Sequence, residues 1–438
     1  MTGAAELLAL AGRRVLIWGF GKHGGGQAAA RFCAGRGAQV TVLELKPRSA
    51  FGAEAEAWDW VIGDGSHPLL QQVDLIVASP AIPPRAWPAT HPPRTAPEGL
   101  FCAAHRGPRV AITGTKGKST TAHLLATLLG WQVAGNSYEP LLDLLLRHGD
   151  EVPLVCELSS FQLWYLAPSA PRFAGVLFTS LAVDHLDWHP DLEHYRASKL
   201  ALLGWSPAVA VAEDVALPAP WAERCRAAQV PRVAYRDGVF SDGAGEIARR
   251  ADLPLLGEHN ARNAALALSM AEHLGVARAD LAPRLRTVRG LPHRLEPVPS
   301  SDGRLYFNDS IATTPESAMA AIAALPGPLA IILGGSDKGA SYAALAEAVA
   351  RRGAIPILIG AVAERMAVAL RAAGVEPVLA GTLSVAVAAA RERVAAGGTV
   401  LLSPACASFD QFQGFEDRGA RFKVLAGGSG SPSPLVGQ

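Results

Sequence analysis

Short apolar runs alternate with longer amphipathic stretches along almost the whole chain. Arg13 to Gly19 (RRVLIWG) predicts a strand, Gly24 to Gly35 a helix closed by glycine, and Gln39 to Leu45 (QVTVLEL) a second, alternating strand. That is a β-α-β unit. A further strand, VDLIVASP, ends at Pro80 and opens a segment punctuated by Pro83, Pro84, Pro88, Pro92, Pro93 and Pro97, which suits neither a helix interior nor a central strand. A first domain boundary is expected near residue 105. Strand-like runs recur at Arg109 to Thr113, Leu154 to Leu158 and Gly175 to Thr179, with helical patterns at Ser119 to Leu129 and Asn260 to Leu274. A third alternation starts after RGLPHRLEPV, with strands near Leu305, Leu329, Ile355 and Thr399 between Ala-rich helices. The pattern predicts an α/β protein of three domains, 1–105, 106–297 and 298–438, the last ending in a low-complexity tail, GGSGSPSPLVGQ.

Composition narrows the function classes. With 50% hydrophobic and 18% charged residues over 438 positions, the chain has ample material for packed cores. A net charge of +1 and the lack of a long Lys/Arg block argue against nucleic acid or an anionic membrane as partner. Five scattered cysteines (Cys33, Cys102, Cys156, Cys225, Cys406) form no CxxC pair, as expected of reduced thiols in a cytoplasmic protein. The N-terminus lacks a basic region ahead of its apolar run, and later apolar stretches are too short to span a bilayer, so no export and no membrane insertion are expected.

Two glycine-rich turns carry the first chemistry. Thr113 to Thr120 (TGTKGKST) lies between a strand and a helical pattern, where backbone N–H groups and the helix dipole favour an anion. Only two residues separate Gly114 from Gly117-Lys118, against four in the common phosphate loop. Lys118 would reach outer phosphates and Ser119 or Thr120 would hold Mg²⁺; an ordinary turn with an exposed lysine is the alternative. GFGKHG, Gly19 to Gly24, is a G-x-G-x-x-G after the first strand, with Glu44 closing the next. By itself it suits a dinucleotide, and hence an NAD-dependent oxidoreductase, or simply a tight strand-to-helix turn. Further along, CELSSFQL puts Glu157 at a strand end, LAVDHLDWH supplies Asp184, His185 and Asp187, and YRASKL sets Lys199 on a helix. Each has a plain reading as a cap, a solvated loop residue or a surface charge. Yet all of them follow strand ends, where α/β proteins bind ligands.

These motifs together resemble the Mur ligase family of ATP-dependent amide-forming ligases, whose phosphate loop is the compact T-G-T-x-G-K-[ST]-T present here. The resemblance runs from the first strand to about Lys423 and includes ELSSFQL, GEHNARNA, GLPHRLE, FNDSIATT and LLSPACASFDQFQGFEDRG. It implies a Rossmann-like N-terminal UDP-binding domain, a central P-loop ATPase-like, mostly parallel sheet, and a Rossmann-like C-terminal domain for the incoming amino acid. The implied reaction adds D-glutamate to UDP-N-acetylmuramoyl-L-alanine through an acyl phosphate in peptidoglycan synthesis, with ATP and two Mg²⁺ ions, in a cytoplasmic monomer. Gly19, Gly21, Lys22, His23, Glu44, Ser79 and Asn136 are implied for the UDP substrate. Gly114, Thr115, Lys116, Gly117, Lys118, Ser119, Thr120, Asn260, Asn263, Arg294 and Asp309 are implied for ATP. Ser119, Glu157, His185 and a carbamylated Lys199 are implied for the metal ions, and Lys118, Glu157, His185 and Lys199 for catalysis. Thr313, Lys338, Ser408 and Phe415 are implied for glutamate. The chain departs from the family pattern at Ala81 (usually Gly), Lys116 (commonly Asn) and Ile311 (often Lys). The last of these keeps L-glutamate open as the alternative amino acid. A nucleotide-sensing scaffold that hydrolyses little ATP is the alternative outside enzymology.

Overall fold

The computed structural model describes residues 3–21, 24–337 and 339–427; Lys22, His23 and Lys338, named above, lie outside the described residues. It is an α/β protein built on parallel sheets. The chain forms two compact units, one of residues 1–252 and 262–287, the other of residues 253–261 and 288–438.

In the first unit, strands β1 (Arg14–Trp18), β2 (Gln39–Glu44), β3 (Asp59–Ile62), β4 (Leu75–Ala78) and β5 (Arg94–Thr95) form a five-stranded sheet in the order β3-β2-β1-β4-β5. All its pairings are parallel. The proline-rich stretch does what its chemistry permits: Pro84 opens a 3-10 turn, the two-residue strand β5 sits at the sheet edge, and Pro97 starts a helix, Pro97–Ala104. A second parallel sheet follows, of β6 (Arg109–Thr113), β7 (Gln132–Gly135), β8 (Leu154–Glu157), β9 (Gly175–Phe178) and β10 (Val209–Val211), in the order β10-β9-β6-β8-β7. Strands β1 and β6 each have neighbours that follow them on both sides. The strand order therefore reverses there, and the crevice beyond their carboxyl ends is where such sheets hold ligands. One apolar cluster runs without a break from Val15, Ile17 and Phe32 to Ala111, Cys156 and Val176, and so ties the two sheets together. A small antiparallel sheet, β11 (Ala234–Arg236), β12 (Val239–Asp242) and β13 (Gly245–Arg249), completes this unit.

The second unit carries one six-stranded sheet. Its strands are β14 (Glu296–Val298), β15 (Leu305–Asn308), β16 (Leu329–Gly334), β17 (Ile355–Ile359), β18 (Val378–Gly381) and β19 (Thr399–Leu402), ordered β14-β15-β19-β16-β17-β18. Every pairing is parallel except that of β14 with β15. Apolar clusters cover both faces, one around Ile331, Leu333 and Leu401, the other around Ala330, Ile332 and Leu402. Such alternation along β16 is what a strand buried on both sides requires.

Candidate active site

The compact loop after β6 is shaped by backbone geometry that glycine alone accepts comfortably. Gly114 has φ +152, and a Cβ there would lie 2.0 Å from Thr179 Oγ1. Gly117 has φ +85, and a Cβ there would meet Asn263 Oδ1 at 2.8 Å. Glycine's freedom is needed twice in four residues. The helix Lys118–Leu129 then starts directly, so its first N–H groups point back over the loop. Residues just beyond β9, outside both glycine-rich motifs, hold the loop in place. Ser180 O accepts from Thr115 N (2.9 Å), Ser180 Oγ accepts from Lys116 N (2.7 Å), and Thr179 Oγ1 donates to Lys116 O (2.5 Å). Thr115 Oγ1 lies 2.7 Å from Tyr195 Oη.

Two lysines converge on this loop. Lys118 Nζ donates to Gly114 O and Thr115 O, both at 3.1 Å, and Lys199 Nζ donates to Gly114 O at 2.7 Å. Lys199 is only 2% exposed. Burial, reinforced by the Lys118 charge, holds its pKa well below the ordinary lysine value. Glu157, 0% exposed at the end of β8, faces the same region. Its Oε1 accepts from Asn136 Nδ2 (2.8 Å) and Ser137 Oγ (3.0 Å), while its buried Oε2 has no hydrogen-bond partner. A buried carboxylate oxygen without a donor is costly unless a cation completes it. Asn136 thus reaches the Glu157 carboxylate as well as the strand end where a substrate was expected.

His185 stands on the loop after β9 with φ +54, a left-handed conformation uncommon for a residue other than glycine. Its ring packs edge-on against Phe161 at 4.8 Å. Partial burial lowers its pKa, opposed by Asp184 and aided by Lys199 and Lys118, which favours a neutral imidazole able to ligate a metal. Among the described residues no three His, Cys, Asp or Glu side chains gather as a protein cage for an ion. Glu157, His185 and Ser119 carry a carboxylate, an imidazole and a hydroxyl, donor types that could hold Mg²⁺, an ion that keeps several of its own waters. Ser119, at the second position of the helix, is buried.

In the first sheet, Gly19 and Gly21 take positive φ after β1, and a Cβ on Gly19 would lie 2.8 Å from Ser79 Cβ, after β4. These two strand ends are therefore in contact. Glu44, at the end of β2, accepts from the backbone N–H groups of Phe20 (3.0 Å) and Gly21 (3.4 Å). The turn's amides thus face an anionic group already.

In the second unit, Asp309 is buried and accepts from Ser403 Oγ (2.7 Å) and Leu295 N (3.2 Å). Burial pushes its carboxyl up to about 7. Asn260 donates to Leu256 O at 2.7 Å, and Arg294 precedes the strand β14. Ser408 Oγ is buried with no hydrogen-bond partner. Arg418, not singled out from the sequence, is 0% exposed and clamps the loops around it, donating to Ser310 Oγ (3.0 Å), Ser310 O (2.8 Å) and Cys406 O (3.1 Å). Ser310 Oγ in turn donates to Phe415 O at 2.8 Å. The run of small residues in SPACAS and the arginine of EDRG hid this tie, because a helix-borne arginine ordinarily reads as surface charge.

Comparison with known proteins agrees with this architecture. Residues 112–271 match the Mur ligase middle domain and residues 293–406 match the Mur ligase glutamate ligase domain. The chain is 37% identical to the UDP-N-acetylmuramoylalanine–D-glutamate ligase of Myxococcus xanthus, over 95% of this chain and 99% of that protein. It is 36% identical to the protein of the same name from Aromatoleum aromaticum, over 95% of this chain and 98% of the other. Among solved structures, the UDP-N-acetylmuramate–alanine ligase of Thermotoga maritima superposes with a TM-score of 0.59 at 17% identity, covering 94% of this chain and 98% of that one. An ADP complex of another Thermotoga maritima ligase, MurF, gives 0.57 at 16% identity, over 96% and 99%. With relatives this similar over nearly its full length, the chain belongs to the Mur ligase family.

Proposed function

We propose that this protein is an ATP-dependent ligase that joins D-glutamate to UDP-N-acetylmuramoyl-L-alanine in peptidoglycan synthesis, working in the cytoplasm. The observation that carries the reading is the convergence of Lys118, Lys199 and the unpartnered Glu157 Oε2 around one phosphate loop. In this reading region 1–105 holds the UDP moiety at Gly19, Gly21, Glu44 and Ser79. Region 106–297 performs phosphoryl transfer, and region 298–438 receives glutamate at Thr313, Ser408 and Phe415. Asn260, Asn263, Arg294 and Asp309 are assigned to the adenosine and phosphates of ATP.

The chemistry follows from charge. A carboxylate resists an amine, so the alanyl carboxylate first attacks the γ-phosphoryl group and ADP departs. The glutamate amine then attacks the acyl phosphate and expels inorganic phosphate, which forms the amide without a covalent bond to the enzyme. In this reading Lys118 and the N-terminal amides of its helix meet charge on the transferred group. Mg²⁺, when bound by Ser119, Glu157 and His185, supplies further neutralisation of phosphate charge. Burial, reinforced by the Lys118 charge, favours the neutral form of the Lys199 amine, which in this reading attacks CO₂ and loses a proton to become a carbamate, an anionic oxygen donor for a second ion.

A coupled ADP-release assay tests this reading. Release is expected only with Mg²⁺, UDP-N-acetylmuramoyl-L-alanine and glutamate together. Lys118→Ala should lower turnover by at least ~100-fold. Lys199→Ala should be inactive and partly restored by short carboxylic acids. Near-normal turnover in the Lys118 variant would remove the assignment of the loop, and NADH-dependent chemistry in place of ADP release would favour an oxidoreductase.

A further inference from the structure

The two ligand-side edges of the first unit are joined by one buried indole. Trp188 lies on the turn that carries His185, whose carbonyl accepts from Trp188 N (3.2 Å) and His189 N (3.0 Å) and so closes the left-handed conformation of His185. From there the indole Nε1–H donates to Ala81 O at 3.2 Å, on the loop that follows β4. Ala81 is also the residue whose N–H donates to Ser79 Oγ, at 3.3 Å. Arg85, four residues beyond Ala81, donates to Trp188 O at 3.4 Å. On its other side the indole stacks on Phe161 (4.5 Å between centroids, 25° between planes), and Phe161 meets the His185 ring edge-on. An unbroken path therefore leads from the Ser79 hydroxyl through Ala81, Trp188 and Phe161 to the His185 imidazole.

We propose that Trp188 is a positioning residue that couples occupancy of the Ser79 loop to the placement of His185. The inference rests on the ligase reading, in which the first edge holds the UDP substrate and the second the phosphoryl-transfer groups. A ligand that engages Ser79 fixes Ala81, and Ala81 fixes the indole. The indole holds Phe161 and the strained turn in the arrangement that favours nucleotide binding. Differential contact with two arrangements of one turn is the physical requirement for such coupling, and it must be reciprocal. An indole that only filled space would stabilise the fold without linking the two ligands.

The test measures the dissociation constant of ADP with Mg²⁺, in the presence and absence of saturating UDP-N-acetylmuramoyl-L-alanine. It compares the full-length protein with Trp188→Phe, which removes the N–H but keeps an aromatic face for Phe161, and with Arg85→Ala. In the unaltered protein the UDP substrate should tighten ADP by about fivefold or more. Trp188→Phe should reduce that effect to less than about twofold while ADP alone binds as before, and Arg85→Ala should reduce it in part. Full coupling in Trp188→Phe overturns the proposal, as does weakening of ADP alone by as much as the coupled affinity. Absence of coupling in an unaltered protein that still releases ADP with all substrates sinks the proposal and leaves the ligase reading standing; absence of that ADP release sinks both.

Discussion

Asp309 shows how burial makes a single carboxyl a source of pH-dependent stability. Burial raises its carboxyl from the ordinary 3.8 to about 7, against the pull of Ser403, Leu295 N–H and Arg294. Because the folded pKa lies above the unfolded one, the native state binds the extra proton between these values. Stability is therefore greatest below the unfolded pKa and falls as pH rises through the window up to about 7. The full shift corresponds to at most about 4 kcal/mol. Asp309→Asn mimics the protonated acid and can still meet both partners, so it should match the wild-type protein near pH 4 and exceed its stability above pH 7. Denaturant melts at a series of pH values check this, and a stability gap that does not change with pH would contradict it. In the sequence, Asp309 was legible as a polar residue at a strand end, but its burial was not, because Ser403 comes from just past the end of β19, 94 residues away. The clasp of Asn136 and Ser137 on Glu157 was hidden for the same reason: neighbours across a sheet leave no local trace.

Elements were more legible than their contacts. The strands β1, β6, β8, β15, β16, β17 and β19 coincide with apolar runs, since strands buried on both faces must be apolar almost throughout, and β2 coincides with an alternating one. The two-residue β5, the edge strands β10 and β14, and the antiparallel β11–β13 sheet are short or partly exposed, and so lack that signature. The phosphate loop was legible from its glycines, and its geometry allows a contrast within one helix. Gly114→Ala would force both a positive φ and a contact of 2.0 Å with Thr179 Oγ1. Gly130, past the other end of the same helix, has φ +70 but nothing within 4 Å of a Cβ. Gly130→Ala should cost only about 1 kcal/mol of backbone strain and leave turnover intact. Gly114→Ala should cost about 2–4 kcal/mol and abolish ADP release, since Thr179 must move and the loop with it. Thermal melts alongside the ADP assay distinguish the two, and equal behaviour of both variants would show that the Gly114 geometry is not required.

For the whole molecule, the alternation of strands and helices was enough to read an α/β architecture, but not the order of strands within each sheet. Parallel strands buried on both faces present nearly interchangeable Val, Ile and Leu runs, and order is decided by crossover handedness and by which helix fits which face. What that order produces is a set of fixed frames on which stereochemistry can be judged. In the second unit Arg418 locks the segments around Ser310 and Cys406, Ser310 locks Phe415, and the Ser408 hydroxyl is buried without a hydrogen-bond partner. If glutamate binds here, as proposed, segments held this firmly cannot follow a ligand whose groups exchange places. Inverting the α-carbon of glutamate would leave one buried hydroxyl or one carboxylate unpaired, which makes discrimination of about 100-fold or more the expected result. Ile311, half-buried and bonded through its N–H to His293 O at 3.3 Å, offers an apolar side chain where the family often has a lysine. With one cation fewer, selection should rest on hydrogen-bond geometry and depend only weakly on salt, because screening acts on charges and not on shape. Parallel ADP-release assays with enantiopure D- and L-glutamate, below saturation and at two ionic strengths, are expected to show the D form faster by a ratio that salt barely changes. Faster turnover of the L form would reverse the stereochemical assignment while leaving the ligase chemistry in place, and a ratio that collapses in high salt would return the selection to charge.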